Sequence, residues 1–196
     1  MRYAFAFAAS LALAMSGLAA GAMAQSPSAA ISAAVADPLR PAADTARDVH
    51  RKPAQIVAFA GVKPGDKVAE LMPGGGYYTR ILAKTVGPKG HVYALVPTGF
   101  AKRPGGLDAL NALAAQYGNV TIVATDLASF KLDTPVDVVW TTENYHDFHN
   151  GPTANIPGLN AAVFVALKPG GVYFIEDHAA AAGAGTTTTS TLHRID

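Results

Sequence analysis

The chain contains no cysteine. Disulfides, thiolate metal sites and a cysteine nucleophile are therefore excluded. Charge imbalance is also missing: 15 Lys and Arg stand against 14 Asp and Glu, for a formal net charge of +1, and no basic run occurs. A nucleic acid gripped through its phosphates is accordingly not an expected partner. No internal repeat is visible, and the His-Glu-x-x-His pattern of zinc proteases is absent.

What is present begins at the N-terminus. Met1-Arg2 leads into an apolar, alanine-rich run from Tyr3 to Ala20, followed by Ala22-Met23-Ala24. One positive residue, an apolar core and an A-x-A site describe a secretory signal peptide over residues 1–24, cleaved after Ala24, and a periplasmic or secreted protein. Ser10, Ser16 and Gly17 interrupt the run and no cationic cluster follows it, so no stable membrane span is expected after cleavage. The Ala-, Ser- and Pro-rich stretch that follows reads as a flexible tether over residues 25–43. Residues 44–196 then make one domain by length.

Within that domain, periodicity predicts strands at Lys67 to Leu71, His91 to Val96, Val120 to Ala124, Val136 to Trp140 and Val172 to Ile175. Helices are expected from Asp44 to Ala60, broken at Pro53 with Asp44 as N-cap, and over Tyr77 to Thr85, Leu107 to Tyr117 and Asn155 to Leu167. The alternation gives an α/β fold, a Rossmann-like doubly wound parallel sheet with helices on both faces. Ligands of such sheets sit beyond the strand C-termini. Two segments there stand out. Glu70-Leu71-Met72-Pro73-Gly74-Gly75-Gly76-Tyr77 takes a strand through a glycine cluster into a helix N-terminus, where a ligand can approach bare backbone and face the positive end of the helix dipole. Thr141 to Asn150 is the densest polar cluster, with His146 placed to act as a general base or, in the plainer reading, to satisfy a loop. Glu143, His146, Asp147 and His149, with Asp177 and His178, also offer oxygen and nitrogen ligands. His146 and His149 are three apart in an expected loop, and no metal is assigned.

The glycine segment resembles motif I of the class I methyltransferases, which bind S-adenosylmethionine (SAM). Glu70 holds the acidic position, Gly74 and Gly76 hold the second and third glycines, and Met72 stands where the first is expected. Gly76-Tyr77-Tyr78-Thr79 with Leu82-Ala83 is similar to the corresponding stretch of protein isoaspartyl methyltransferases. Together with Asn144-Tyr145-His146-Asp147 and Leu167-Lys168-Pro169-Gly170-Gly171, it is similar to a group of exported bacterial methyltransferases, from about Asp44 to Asp196. Ile175-Glu176-Asp177-His178 and His193-Arg194-Ile195-Asp196 also match that group.

The resemblance implies SAM as cofactor, held by Glu70, Met72, Gly74, Gly75, Gly76, Tyr77 and Thr79. Asp126 would either meet the adenine or cap a turn. Asn144 and His146 would be the catalytic residues, and the acceptor a small molecule. Arg47, His50 and Arg51 would either close over the ligand from the N-terminal helix or, in the plainer reading, be solvated helix charges. Two departures stand out. Val96 occupies the place of the acid that takes the ribose hydroxyls, and the chain stops at Asp196, where the family continues with an antiparallel hairpin. The competing functions are an exported, non-catalytic ligand-binding protein on a methyltransferase scaffold and, third, a metal-assisted enzyme centred on Glu143, His146 and His149. No oligomeric state is implied.

Overall fold

Five short runs rich in Val, Ala, Ile and Leu form the strands. The computed structural model describes residues 26–196, so the expected leader, residues 1–24, lies outside the described residues. Strands β1 (Lys67–Leu71), β2 (His91–Pro97), β3 (Val120–Thr125), β4 (Val136–Thr142) and β5 (Leu167–Glu176) make one sheet in the order β3-β2-β1-β4-β5. All four pairings are parallel. The doubly wound α/β expectation holds. β1 pairs with both β2 and β4, so the strand order reverses at β1, and the crevice for a ligand lies beyond the C-termini of β1 and β4.

Each face of the sheet carries its own core. On one face Val68, Trp140 and Phe174 pack with Val57 of α4 (Pro53–Phe59), Ile81 and Leu82 of α5 (Tyr77–Val86) and Leu113 of α7 (Asp108–Tyr117). On the other, Ala69, Leu71, Leu95 and Val139 pack with Leu159 and Val163 of α8 (Ile156–Ala166). Strand side chains alternate between faces, so Glu70, two residues after Val68, faces α5. Trp140 is fully buried, 5.1 Å from the Tyr78 ring and 4.5 Å from that of Phe174.

The stretch expected to be a tether is folded. α1 (Ala29–Val35) is capped by Ser28, whose hydroxyl oxygen accepts the Ile31 N–H at 3.3 Å, and it buries Ile31 and Ala34 against α5. Composition misleads here because alanine is both a linker residue and the best helix former, and an i, i+3, i+4 stripe (Ile31, Ala34, Val35) suffices to dock a helix. Downstream, the Arg40 guanidinium donates two hydrogen bonds to Asp48, at 2.6 and 2.8 Å. The packed unit therefore reaches back past residue 44. Nor is Asp44 an N-cap: it lies inside α2 (Ala42–Thr45), and its carboxylate accepts from Arg47 and Arg80. α3 (Asp48–Arg51) follows, and Pro53 opens α4 at its first turn as expected.

Beyond β5, residues 177–196 turn back over the Tyr145–His149 turn. Ala179 bridges Ile195 in parallel, the Thr189 hydroxyl at the start of α9 (Thr189–Leu192) donates to Asn150 Oδ1 at 2.7 Å, and no antiparallel strand pair occurs among the described residues. Among those residues no helix is long and apolar enough to cross a membrane.

Candidate functional site

The end of β1 carries a buried carboxylate. Glu70 is 3 % exposed and accepts a 2.6 Å hydrogen bond from the Thr79 hydroxyl on α5. Burial pushes its pKa up to about 7; the Thr79 hydrogen bond and the Arg80 charge only partly oppose this. Thr79 is fully buried, so its part is to hold Glu70 rather than to meet a ligand.

The next residue but one, Met72, has φ +51°, the left-handed region that favours glycine. Motif I places a glycine here for that reason. Met72 keeps the conformation at a strain of roughly 1–3 kcal/mol, because its N–H donates to the Leu95 carbonyl at 3.0 Å and its own carbonyl accepts from Asn144 Nδ2 at 3.1 Å. The Asn144 side-chain oxygen accepts from the buried Thr141 hydroxyl. Asn144, expected to be catalytic, thus ties β4 to the turn after β1. Asn144→Ala should cost about 1–2 kcal/mol, because it orphans the Thr141 hydroxyl and frees a strained residue. A urea midpoint equal to wild type would contradict that role.

The three glycines divide the work. An added Cβ would meet nothing within 4 Å at Gly74 or Gly75, whereas at Gly76 it would lie 2.5 Å from Leu113 Cδ1 and 3.2 Å from Arg80 Nη1. Gly76 is the left-handed N-cap of α5; it packs against Leu113 and Arg80 and, unlike Gly74 and Gly75, does not line the cavity beside it. Gly74 and Gly75 open into a cavity of about 190 Å³ with Glu70, Met72, Tyr77, Glu143 and Asn144 on its walls. Arg80 Nη1 donates to the carbonyls of both Gly75 and Gly76 at 2.9 Å and fixes the loop.

Arg47 and Arg51 line the same cavity. They are not merely solvated helix charges: their guanidinium carbons stand 4.8 and 4.7 Å from the centre of the Tyr77 ring. Arg51 also pairs with Glu143, itself at φ +56°. Tyr77 donates its hydroxyl to Asp48 at 2.5 Å. The Arg51–Glu143 pairing itself was not legible in the sequence, since it joins positions 92 apart.

Met72 also borders two further cavities. One, of about 90 Å³, is apolar, lined by Gly74, Val96, Pro97, Phe100 of α6 (Thr98–Ala101) and Leu110. The other, of about 330 Å³, is lined among others by Thr98, Asp126, Asp147, Phe148, Asn150 and Leu159. Asp126 caps a turn, its carboxylate accepting from the Ala128 N–H at 2.9 Å and the Ser129 hydroxyl at 3.2 Å, and it also borders this cavity.

His146 is 3 % exposed and absent from the walls of all three cavities. Its Nδ1 lies 2.8 Å from Asp177 Oδ1, and its backbone N–H donates to Asp177 Oδ2 at 2.6 Å. Nε2 faces Asp147 Oδ1 at 3.3 Å, with the His193 ring 5.3 Å from its own. The geometry does not carry the expected base role, because Asp147, not His146, reaches the cavity. His149 stands apart, its Nε2 buried without a hydrogen-bond partner and its pKa lowered by burial.

No protein-family model matches the chain. It is 40 % identical over 75 residues to a protein-L-isoaspartate O-methyltransferase of Ignicoccus hospitalis, a stretch that is 37 % of this chain and 33 % of that relative's length. Among solved structures, a SAM-dependent methyltransferase from Aquifex aeolicus superposes with a TM-score of 0.56 at 21 % identity, covering 68 % of each chain. At that identity the likeness is one of fold, and the Rossmann-like parallel sheet is shared.

Proposed function

We propose that this chain is a SAM-dependent methyltransferase acting on a small-molecule acceptor. The observation that carries the reading is the polar cavity at the end of β1. There a buried carboxylate, two glycines whose Cβ positions are open, and two arginines converge on the N-terminus of a ten-residue helix. That donor set fits an amino acid. Arg47 and Arg51 suit its carboxylate, and Glu70 with the rim carboxylate Glu143 suits its ammonium. When bound, SAM would supply an electrophilic sulfonium methyl. The protein would fix the amino-acid end at Glu70 and the glycines, and leave the cavity bordered by Asp126 and Asp147 to orient the acceptor. Positioning is then the main catalytic contribution.

Val96 supports a second reading. It is buried on the wall of the apolar cavity, at the place where the resemblance expects an acid for the ribose. Losing charge-assisted bonds to two hydroxyls costs roughly 1.5–3 kcal/mol, which is the physical case for an exported binding protein that no longer uses the nucleoside. The export itself rests on residues 1–24, and the isoaspartyl-methyltransferase likeness does not fix the acceptor.

Calorimetric titration of the mature chain with SAM and with S-adenosylhomocysteine decides between them. Micromolar binding of both is expected. A folded chain that takes up neither would overturn the enzyme reading in favour of the binding protein.

A further inference from the structure

The cluster around His146 plays no part in that reading, and its chemistry points elsewhere. His146 Nδ1 is committed to the Asp177 carboxylate, whose other hydrogen bonds come from the backbone N–H groups of His146 and His178. A neutral imidazole that donates from Nδ1 presents a lone pair at Nε2. At 3.3 Å that lone pair faces another lone-pair bearer, Asp147 Oδ1. His193 Nδ1 stands 3.8 Å from the same oxygen. The remaining polar contact of Asp147 Oδ1 is the Asn150 side-chain amide, at 3.5 Å. Two carboxylates thus converge on one buried imidazole, and among the described residues neither Asp147 nor Asp177 has a Lys or Arg partner. Electron pairs from three side chains face one another across a gap that a cation would fill.

We infer that His146 Nε2, Asp147 and His193 bind a divalent first-row transition-metal ion, with Asp177 orienting His146 from behind. The three ligand atoms lie within 4.8 Å of one another. Ligands about 2.0–2.2 Å from a tetrahedral ion sit roughly 3.3 Å apart, the spacing His146 and Asp147 already show. His193 has only to swing inward. Its side chain is exposed and its backbone, at φ +53°, holds it over His146. Two imidazoles and a carboxylate suit zinc, cobalt or iron(II), and a chain without cysteine offers no competing thiolate. A carboxylate on the far nitrogen of a ligating histidine is the usual orienting partner at such sites. Three protein ligands leave a coordination position open, and Asp147 is shared with the wall of the 330 Å³ cavity, so a small molecule there could reach it. The inference does not depend on SAM being the cofactor of this fold.

Zinc titrated calorimetrically into the untagged, chelator-stripped chain tests it, with cobalt(II) absorption reporting coordination number. The expected result is one ion per chain, tetrahedral or five-coordinate, and a rise in melting temperature. His193→Ala removes an exposed side chain and leaves the fold intact; it should weaken zinc binding by more than about tenfold and abolish that rise. Asp177→Asn should weaken binding by roughly 10–100-fold, as loss of an outer-shell partner does. No heat from a folded chain at millimolar zinc, or an isotherm unchanged in His193→Ala, overturns the site. The first outcome would leave a proton in the gap, and the second would move the ion to another histidine.

Discussion

Between about pH 4.5 and 7 the ligand-free protein should lose on the order of 3 kcal/mol of stability through one residue, Glu70. Its ordinary pKa is near 4.5 and burial raises it to about 7 in the fold. Within that window the folded state holds a proton that the unfolded chain has released. Stability from this group is therefore complete below pH 4.5 and is lost as pH rises through the folded pKa. Other groups act in the same range with other signs. Glu176, raised by burial and then by Glu143, adds to the fall. His91 and His149, both lowered by burial, oppose it, because the unfolded chain then binds their protons more readily. The clean quantity is thus the difference between wild type and Glu70→Gln. Glutamine keeps the acceptor for the Thr79 hydroxyl and has no proton to lose. Urea denaturation at pH 5, 6, 7 and 8 should show wild type falling relative to the variant by about that amount. Parallel curves would show that Glu70 keeps its ordinary ionisation and that the buried-acid account of the site fails.

The same residue links stability to binding. An ammonium group beside Glu70 favours its carboxylate form. A zwitterionic ligand should therefore expel the proton, and its affinity should rise with pH up to about 7. Burial at the end of β1 becomes useful only when a cation arrives: the protein holds an acid in an unfavourable place, and the ligand relieves it.

How much of this was legible depends on the range of the interaction concerned. β1, the glycine turn and α5 are local features written in consecutive residues, and their order and type followed from periodicity. The end of β4 was legible as a polar cluster for the same reason. Pairings across the sheet were not. Asp177 meets His146 from 31 positions away because β4 and β5 are parallel neighbours whose C-termini share an edge. No pattern along the chain announces that. Arg40, Asp48 and Tyr77 form one network drawn from the segment before α2, from α3 and from α5, and alanine-rich composition concealed the helix that begins it. Met72 is instructive in the other direction. It stands in place of a motif glycine, keeps a left-handed backbone there, and is held in it by Asn144.

The sharpest division of labour the structure assigns lies between adjacent glycines, and two substitutions should separate it. At Gly75 the backbone is not left-handed and an added Cβ has nothing within 4 Å, so Gly75→Val should leave stability within about 0.5 kcal/mol of wild type. Its isopropyl group would enter the cavity bounded by Glu70, Arg47 and Arg51. If SAM lies there, the intrusion should cost about 1–3 kcal/mol of binding, roughly 5- to 150-fold in affinity. Gly76→Val reverses the pattern. A β-branched residue at φ +83° carries a left-handed penalty of about 1–2 kcal/mol, and its Cβ meets Leu113 Cδ1 at 2.5 Å, an overpacking cost of about 1–3 kcal/mol. The fold should lose about 2–5 kcal/mol, and any ligand effect would follow from that loss. Gly74 cannot make the distinction, because at φ +57° a side chain is strained even with room to spare. Thermal melts and SAM titrations of the two variants test the assignment together. A stable Gly75→Val that binds SAM as wild type does would move the ligand away from this loop, however closely the loop resembles a motif that holds one.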